Sequence, residues 1–332
     1  MRPFAIEPAS DAAVAVMAAA KGGGDVQYLA GGTTLIDLMK LDVLAPERLI
    51  DINPLAREHG AIVAGPGGLR LGALVRMSDA AVHPAVRAGW PVIAQTLEAA
   101  ASPQIRNMAS LGGNVLQRTR CAYYRDTRWA ACNKRTPGSG CAALEGVNRR
   151  HAVLGVSEAC IAAYPGDFAQ ALIALEAVVV TLAPGGGRRI AFEDLHRPPG
   201  STPHLETNLA PGELIVAFEI PRAPWAARSL YVKIRDRASY DFALASAAVA
   251  LDMDGARVRE ARIALGGVAS RPWRARQAEG ALRGTVLDEA SAAGAARAAF
   301  AGARAHGEAA FKRELGQRTL VRALLAAGAM EV

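Results

Sequence analysis

The 332-residue sequence has few cysteines, few lysines and no long apolar run. Five of its 38 basic residues are lysines, so the formal charge of +7 is almost entirely arginine, spread along the chain. A nucleic-acid binder usually concentrates such charge on one element, so we expect no nucleic-acid partner. No uncharged apolar run approaches the roughly 18 residues that a membrane span needs. We therefore expect no direct membrane span.

Signals for export and hydrolytic chemistry are also missing. Glu7 and Asp11 interrupt the place where a signal peptide would have its apolar core. The six histidines form no H-E-x-x-H spacing, and neither a G-x-S-x-G nor an S-x-x-K motif occurs. Rossmann and P-loop glycine motifs are absent as well. We expect no export signal in this chain, and we name no catalytic residue.

The apolar patterns predict helices and strands without strict alternation. A helix capped by Ser10 precedes a strand at 26–30, and a hairpin is predicted at 62–75 around a Gly-Pro-Gly-Gly turn. The segment PRAPWAARS separates the last hundred or so residues, which contain strands followed by alanine-rich helices. Such a mixture predicts an α+β fold. We place the boundary near residue 225, which gives domains 1–225 and 226–332.

All four cysteines of the chain lie within forty residues. Between neighbours stand ten, eight and eighteen other residues, so there is no C-x-x-C pair, and the cysteines are Cys121, Cys132, Cys141 and Cys160. These spacings alone favour neither zinc nor an iron–sulfur cluster. From the residues, a metal site, a pair of disulfides and coincidence all remain open.

Two glycine pairs are candidates for binding a phosphate group. Gly31-Gly32-Thr33-Thr34 ends a predicted strand and leads into a helix, and Gly112-Gly113 stands in the later stretch SLGGN. Glycine lets the backbone approach a ligand closely, and backbone N–H groups at such turns bind anions. A plain strand–helix turn is the alternative for each pair. Together the two loops are compatible with a diphosphate bound between them.

Several motifs, in the right order, resemble one family over nearly the whole chain. LAGGTTL (29–35), SPQIRNMASLGGN (102–114) and PGDF (165–168) resemble the FAD-binding medium subunit of molybdenum hydroxylases. KIRDRASYDFALASAAVAL and ALGGVASRPWRARQAE resemble the C-terminal domain of that subunit. The resemblance implies a PCMH/VAO-type FAD-binding domain of two subdomains. It also implies a C-terminal α+β domain of the carbon monoxide dehydrogenase flavoprotein type.

The resemblance also implies which residues contact FAD. The first glycine loop would wrap the diphosphate with Leu29, Ala30, Gly31, Gly32, Thr33, Thr34, Leu35 and Ile36. A second wall would come from Ser110, Gly113 and Asn114. Asp167 would hydrogen-bond the ribityl or diphosphate region, and Lys233 would lie near the flavin. Ile215 is added from its strand context.

The cysteine segment, about residues 118–162, is where the chain departs from the common family pattern. Asn114 and Asp167 are 53 positions apart, whereas the corresponding motifs lie close together in subunits without an extra centre. The segment resembles the insert of bacterial aldehyde oxidoreductases, which holds a 4Fe-4S cluster. The resemblance therefore implies that the four cysteines are ligands of such a cluster, one for each iron.

The cysteine segment is also rich in basic residues. Between Arg118 and Cys160 there are eight basic and three acidic residues. Such an excess would stabilise a reduced cluster and raise its potential. A solvated basic loop and a surface that faces an acidic partner subunit are the alternatives.

The function that the resemblance implies is electron transfer inside a three-subunit enzyme. A large subunit with a molybdenum cofactor would oxidise an aldehyde, and a small subunit with two 2Fe-2S clusters would relay the electrons. FAD on this chain would pass them to an external acceptor. The alternatives are the same subunit of a 4-hydroxybenzoyl-CoA reductase or xanthine dehydrogenase-type enzyme, a stand-alone flavoprotein oxidase and a disulfide-stapled structural protein. We expect the periplasm, reached on a partner's twin-arginine signal, with the cytoplasm as the alternative.

Overall fold

The computed structural model describes all 332 residues, and its first lobe is a small parallel sheet flanked by helices. The sheet has the order β1-β3-β2. Asp11, and not Ser10 as predicted, caps the first helix, because its carboxylate accepts the N–H of Val14 at 2.8 Å. The elements are β1 (Ala5–Pro8), α1 (Ala12–Gly22), a 3₁₀ turn (Gly23–Asp25), β2 (Val26–Leu29), α2 (Leu35–Lys40), β3 (Arg48–Asp51) and a second 3₁₀ turn (Asn53–Leu55).

A hairpin and a run of short helices follow. The predicted hairpin forms, with Gly65 paired to Gly68 across its turn. Gly68 has φ +133°, a conformation that side chains other than hydrogen rarely allow. The elements are α3 (Ala56–His59), β4 (Ile62–Gly65), β5 (Gly68–Gly72), α4 (Met77–Val82), α5 (Pro84–Gly89), α6 (Pro91–Ala99), α7 (Pro103–Met108) and α8 (Leu111–Val115).

The cysteine segment is irregular, as its lack of a clean period predicted. Its one helix is the single turn α9 (Ala122–Arg125), and a short antiparallel bridge joins Cys132 to Cys141. Although the segment interrupts the chain between α8 and the next helix, the sheet of the second lobe is completed after it. The insertion is therefore an addition to the lobe and not a part of its core.

The second lobe is a five-stranded antiparallel sheet of order β4-β5-β8-β6-β7 covered by helices. Its central strand β8 pairs with β5 from before the cysteine segment and with β6 from after it. Phe168, Phe192 and Phe218 pack together in the largest buried core of the protein. The remaining elements of this lobe are α10 (Phe168–Ala174), β6 (Val178–Leu182), β7 (Arg189–Ala191), α11 (Phe192–Leu195) and β8 (Leu214–Pro221).

The C-terminal part is an antiparallel sheet of order β12-β11-β10-β9 with helices packed on it. Its buried face joins a second large apolar core, in which Phe300 is completely buried. The α+β fold is confirmed, whereas the boundary near residue 225 stays a prediction. No helix of the chain is both long and apolar enough to cross a membrane. The elements are β9 (Ser229–Ile234), β10 (Ala245–Asp254), β11 (Arg257–Gly266), β12 (Trp273–Arg274), α12 (Arg276–Leu282), α13 (Glu289–Ala299), a 3₁₀ turn (Gly307–Ala310) and α14 (Phe311–Gly328).

Candidate cofactor-binding site

The first glycine loop lies at the carboxyl end of β2, against the link between α7 and α8. A Cβ added to Gly31 would stand 1.9 Å from the carbonyl oxygen of Met108 and 2.6 Å from its carbonyl carbon. Gly32 has φ +70°, in the left-handed region that favours glycine. Both glycines are therefore required by the backbone itself.

The second glycine pair forms the opposite wall of one cavity. Ser110 begins α8 and accepts the N–H of Gly113 at 3.2 Å, which fixes the loop. The cavity has about 1020 Å³ of empty space, and both glycine pairs line it. It is further lined by the predicted residues Ala30, Thr33, Thr34, Leu35, Ser110 and Ile215. The structure therefore brings the two loops together as the sequence predicted.

Leu29 and Ile36 lie behind this loop and do not line the cavity. Their side-chain carbons stand 3.3 Å and 3.1 Å from the position that a Cβ on Gly32 would take. Both side chains pack against the turn, and their predicted contact with a cofactor stays a prediction. The period of the strand and helix does not distinguish a residue that lines a cavity from one that supports its wall.

A second cavity, of about 1280 Å³, continues from the first at Thr33 and Thr34. Asn114 and Asp167 line it, together with Tyr240 near its mouth. The side-chain oxygen of Asn114 is buried and has no hydrogen-bond partner, while its amide nitrogen contacts the sulfur of Met77 at 3.3 Å. A buried polar atom without a partner is costly. Such an acceptor is suited to a donor on a bound ligand.

Asp167 is held by two residues of β9. The hydroxyl of Tyr231 donates to one carboxylate oxygen at 2.5 Å, and the ammonium of Lys233 donates to the other at 2.7 Å. Burial raises the pKa of Asp167 above its ordinary value, although both partners oppose that shift. Lys233 also donates to the carbonyl of Ala99 at 3.0 Å. Lys233 thus lies behind Asp167 as its counterion, and direct contact of either side chain with a cofactor stays a prediction.

Tyr231 was not predicted from the sequence. Residues two apart on a strand point to the same face, so Tyr231 and Lys233 on β9 could have been paired with each other. Their shared partner comes from the start of α10, more than sixty positions earlier in the chain. Only the tertiary packing of β9 against α10 reveals that contact.

The residues that line the two cavities have the chemistry that FAD requires. An elongated ligand with a central diphosphate and a ring system at each end would place the diphosphate at the shared threonines, between glycine loops that allow close approach. The unpartnered oxygen of Asn114 lies in the second cavity, where it would accept from a ring or ribityl donor. The residues present therefore fit FAD.

The four cysteines are free thiols, of which Cys132 and Cys160 are buried and Cys121 and Cys141 are partly exposed. Burial, and more weakly the neighbouring thiols of Cys160 and Cys132, raises the pKa of Cys121 to about 12. Burial also raises the pKa of Cys160, with smaller contributions from Cys141 and Cys132. Thiols that influence one another in this way lie near each other. The disulfide-stapled alternative would require two disulfide bonds, and the structure has none.

The spacing of the cysteine site does not fit a single ion. No three cysteine, histidine or carboxylate side chains of the chain are close enough together to hold one metal ion. A 4Fe-4S cube needs a wider arrangement, because each of its four thiolates bonds a different iron. The 4Fe-4S cluster at these cysteines therefore stays a prediction.

Polar groups surround the thiols. Backbone groups of Tyr123 and Tyr124 oppose the rise in the pKa of Cys121, and the backbone of Ala162 opposes that of Cys160. The imidazole nitrogen Nε2 of His151 lies 3.2 Å from the Cys121 sulfur. Burial lowers the pKa of His151 to about 4, so its ring is neutral near pH 7. Hydrogen-bond donors of this kind stabilise thiolates.

The cysteine site lies one layer of side chains from the first cavity. Leu38 lines that cavity and packs in one apolar cluster with Tyr124 and Cys132. Arg118 also lines the cavity and stacks on the ring of Tyr124, 5.2 Å from its centroid. The two candidate sites are therefore neighbours.

The basic residues of the cysteine segment face acidic residues from other parts of the same chain. Glu206 accepts from Arg118 at 2.8 Å and from Lys134 at 2.7 Å. Asp37 accepts from Arg120 at 3.1 Å and from Arg125 at 2.8 Å. A solvated basic loop is therefore not what forms, because these ion pairs attach the segment to the protein.

Two protein-family profiles match the chain. One, described as the FAD binding domain in molybdopterin dehydrogenase, matches residues 3–223. The other, described as the CO dehydrogenase flavoprotein C-terminal domain, matches residues 230–327. The chain belongs to the FAD-binding subunits of the molybdenum hydroxylases. This membership confirms the predicted family and fold and makes the chain an FAD-binding oxidoreductase subunit.

Individual members of the molybdenum hydroxylase family resemble the chain over most or nearly all of its length. It is 48% identical over 330 residues to the aldehyde oxidoreductase FAD-binding subunit PaoB of Escherichia coli (strain K12), with 99% of each chain covered. It is 27% identical over 269 residues to the glyceraldehyde dehydrogenase medium chain of Sulfolobus acidocaldarius, covering 81% of this chain and 77% of the relative. A solved carbon monoxide dehydrogenase from Hydrogenophaga pseudoflava superposes with a TM-score of 0.77 at 27% identity, covering 99% of this chain and 98% of that one.

Proposed function

We propose that the chain is the FAD- and 4Fe-4S-containing electron-transfer subunit of a molybdenum-dependent aldehyde oxidoreductase. The observation that carries the proposal is the adjacency of a cavity pair that fits FAD and a segment whose four free cysteines lie near one another. The 48% identity to PaoB favours aldehydes as the substrate class over those of the 4-hydroxybenzoyl-CoA reductase and xanthine dehydrogenase types.

The FAD site would be built from the two glycine loops and their neighbours. Gly31, Gly32 and Gly113 would let the backbone approach the diphosphate, and Thr33 and Thr34 would add hydroxyl donors. When bound, FAD supplies one-electron and two-electron chemistry. The protein contributes binding and orientation, because the described cavities contain no histidine and no free carboxylate pair placed for acid–base work. This favours electron transfer over a stand-alone flavoprotein oxidase.

The cluster site would be built from Cys121, Cys132, Cys141 and Cys160. Burial disfavours the thiolates of Cys121 and Cys160 when no cation is present, so iron would supply the charge that stabilises them. The N–H groups of Tyr123, Tyr124 and Ala162 and the ring of His151 would then bond to thiolate sulfurs. Leu38 and Tyr124 would separate the cluster from the flavin nucleotide.

The proposed enzyme has two further subunits and an external electron acceptor. A large molybdenum-cofactor subunit would oxidise the aldehyde, and a small 2Fe-2S subunit would relay electrons to this chain. The periplasm is the proposed location, reached with a partner that carries a twin-arginine signal, and the cytoplasm is the alternative. Expression of the three subunits with and without that partner's signal, followed by cell fractionation, tests the location.

Replacing Cys132 by serine tests the cluster. We expect the iron content to fall from about four atoms per chain to below one, because a cube needs all four thiolates, while bound FAD stays near one per chain. Iron and flavin are measured on anaerobically purified protein. Thr136→Ser is the matched control, since it is an exposed residue of the same loop. Equal iron in the Cys132→Ser variant and the control would contradict a cluster at this site.

A further inference from the structure

We propose that Tyr240 is a specificity-determining residue that keeps bulky electron acceptors away from the second cavity. The inference rests on the proposed function, in which the flavin ring of FAD occupies that cavity. Tyr240 lines the cavity, yet 53% of the residue is exposed, so it stands at the mouth. An acceptor that approaches the cavity from solvent on this side meets the ring of Tyr240.

The backbone of Tyr240 shows that its position is imposed by its surroundings. Its φ is +53°, in the left-handed region that side chains other than glycine, asparagine and aspartate rarely adopt. A strained residue persists only where neighbouring contacts over-determine it, and such residues concentrate at functional sites.

Two arginines of the same loop hold Tyr240 and the base of that loop in place. The guanidinium of Arg237 stacks over the tyrosine ring, 5.4 Å from its centroid, and its Nε donates to the Tyr240 carbonyl at 3.0 Å. Arg235, at the start of the loop, donates to the carbonyl of Ala99 at 3.2 Å. The ring is therefore held by Arg237, which also lines the cavity, and its loop is held at the base by Arg235.

The cysteine segment clamps the same loop from the other side. Arg149 makes two hydrogen bonds to the carboxylate of Asp236, at 2.9 and 3.0 Å. Arg150 reaches Asp236 at 2.8 Å and Asp241 at 2.9 Å. Asp241 follows Tyr240 directly and lines the cavity beside it. Two arginines of the insertion thus fix the residues on both sides of Tyr240.

Arg149 and Arg150, which together form the clamp on this loop, are themselves held in place by the rest of the protein. The buried ammonium of Lys312, from α14, donates to the carbonyls of Arg150 and His151 at 3.2 and 3.0 Å. His151 then contacts the sulfur of Cys121. Contacts therefore run without a gap from the cysteine site through Arg150 and Asp241 to Tyr240. The insertion that carries the cysteines also shapes the entrance to the flavin cavity.

Rapid mixing of the FAD-loaded full chain with two oxidants of different size tests the inference. Ferricyanide is the small oxidant and cytochrome c the bulky one. In each case two equivalents of oxidant take one electron each, the dihydroflavin returns to FAD, and its protons pass to water. The flavin is photoreduced anaerobically, and its reoxidation is followed by absorbance in the wild-type chain and in variants.

Tyr240→Asn removes the ring, while asparagine tolerates the left-handed backbone. We expect its rate constant with cytochrome c to rise about fivefold and that with ferricyanide to change less than about twofold, because orientational access limits only the bulky partner. Tyr240→Phe, which keeps the ring and its stacking, should behave as wild type. Arg150→Ala, which releases Asp241, should shift the ratio of the two rate constants in the same direction as Tyr240→Asn.

The possible failures are distinguishable. Absence of flavin from the well-folded wild-type chain would contradict the proposed function, and this inference with it. With flavin bound, an unchanged ratio in Tyr240→Asn, or an equal rise with both oxidants, would overturn the role of Tyr240 alone. An unchanged ratio in Arg150→Ala would overturn the role of the clamp.

Discussion

Replacing Gly31 by alanine is expected to lower the affinity for FAD by at least about 100-fold, because a misplaced methyl of this kind costs about 3 kcal/mol. The new Cβ would stand 1.9 Å from the carbonyl oxygen of Met108, far inside contact distance. Backbone atoms cannot rotate away as a side chain can, so the two glycine loops must move apart. Titration of the FAD-free chain, followed by quenching of flavin fluorescence, measures the dissociation constant.

Gly24→Ala is the matched control for this loss of affinity. Gly24 lies in the turn just before β2, its φ is not in the left-handed range, and an added Cβ would meet no atom within 4 Å. The control should bind FAD as wild type does, and circular dichroism of both variants separates loss of binding from loss of fold. If Gly31→Ala bound FAD within about threefold of the control, a difference of well under 1 kcal/mol, the glycine loop would not be the diphosphate site.

Replacing Lys233 by methionine is expected to lower the free energy of unfolding by about 3–5 kcal/mol, the usual cost of leaving a buried charge without its partner. The ion pair between Lys233 and Asp167 is almost inaccessible to solvent, and only Tyr231 would still bond to the carboxylate. Urea unfolding at pH 8 measures the loss. Lys21→Met, at an exposed lysine, is the control and should stay within about 0.5 kcal/mol of wild type.

The loss of unfolding free energy in Lys233→Met should increase as the pH rises. Burial already raises the pKa of Asp167, and removing the cation raises that pKa further. The folded state then holds a proton that the unfolded chain releases, so stability is highest at low pH and falls as pH rises toward the folded pKa. We expect a smaller deficit at pH 5 than at pH 8. A pH-independent deficit, or none at pH 8, would contradict a buried charge pair at Asp167.

Residues that the backbone itself requires could be predicted from the sequence. Gly31 and Gly32 stand between a strand and a helix, and a glycine pair there signals close approach or positive φ, both of which the structure has. Ser110 and Gly113 follow the same logic, since a serine before a short helix caps it. Such signals are local, so a single sequence contains them. The N-cap of α1 shows the limit of such local signals. Ser10 and Asp11 are both good N-cap residues, and only the path of the backbone determines that Asp11 is the cap.

Contacts between distant segments could not be predicted in the same way. The excess of basic residues in the cysteine segment suggested a raised cluster potential, but Glu206 and Asp37 each bind two of those cations. The field at the cysteines is therefore less positive than the local count implies, and the expected rise in potential is smaller. These acidic partners lie far from the segment in the sequence, Asp37 in α2 and Glu206 between α11 and β8, and no periodicity or spacing links them to it.

The most direct test of the account is an anaerobic visible spectrum of the purified chain, combined with assays of flavin, iron and acid-labile sulfide. The account predicts about one FAD, with about four irons and four sulfides per chain, and a broad absorbance beneath the flavin bands that bleaches on reduction. Flavin without iron would contradict the cluster and leave the cysteines without their proposed role. A well-folded chain with neither flavin nor iron after anaerobic reconstitution with both would contradict the account as a whole.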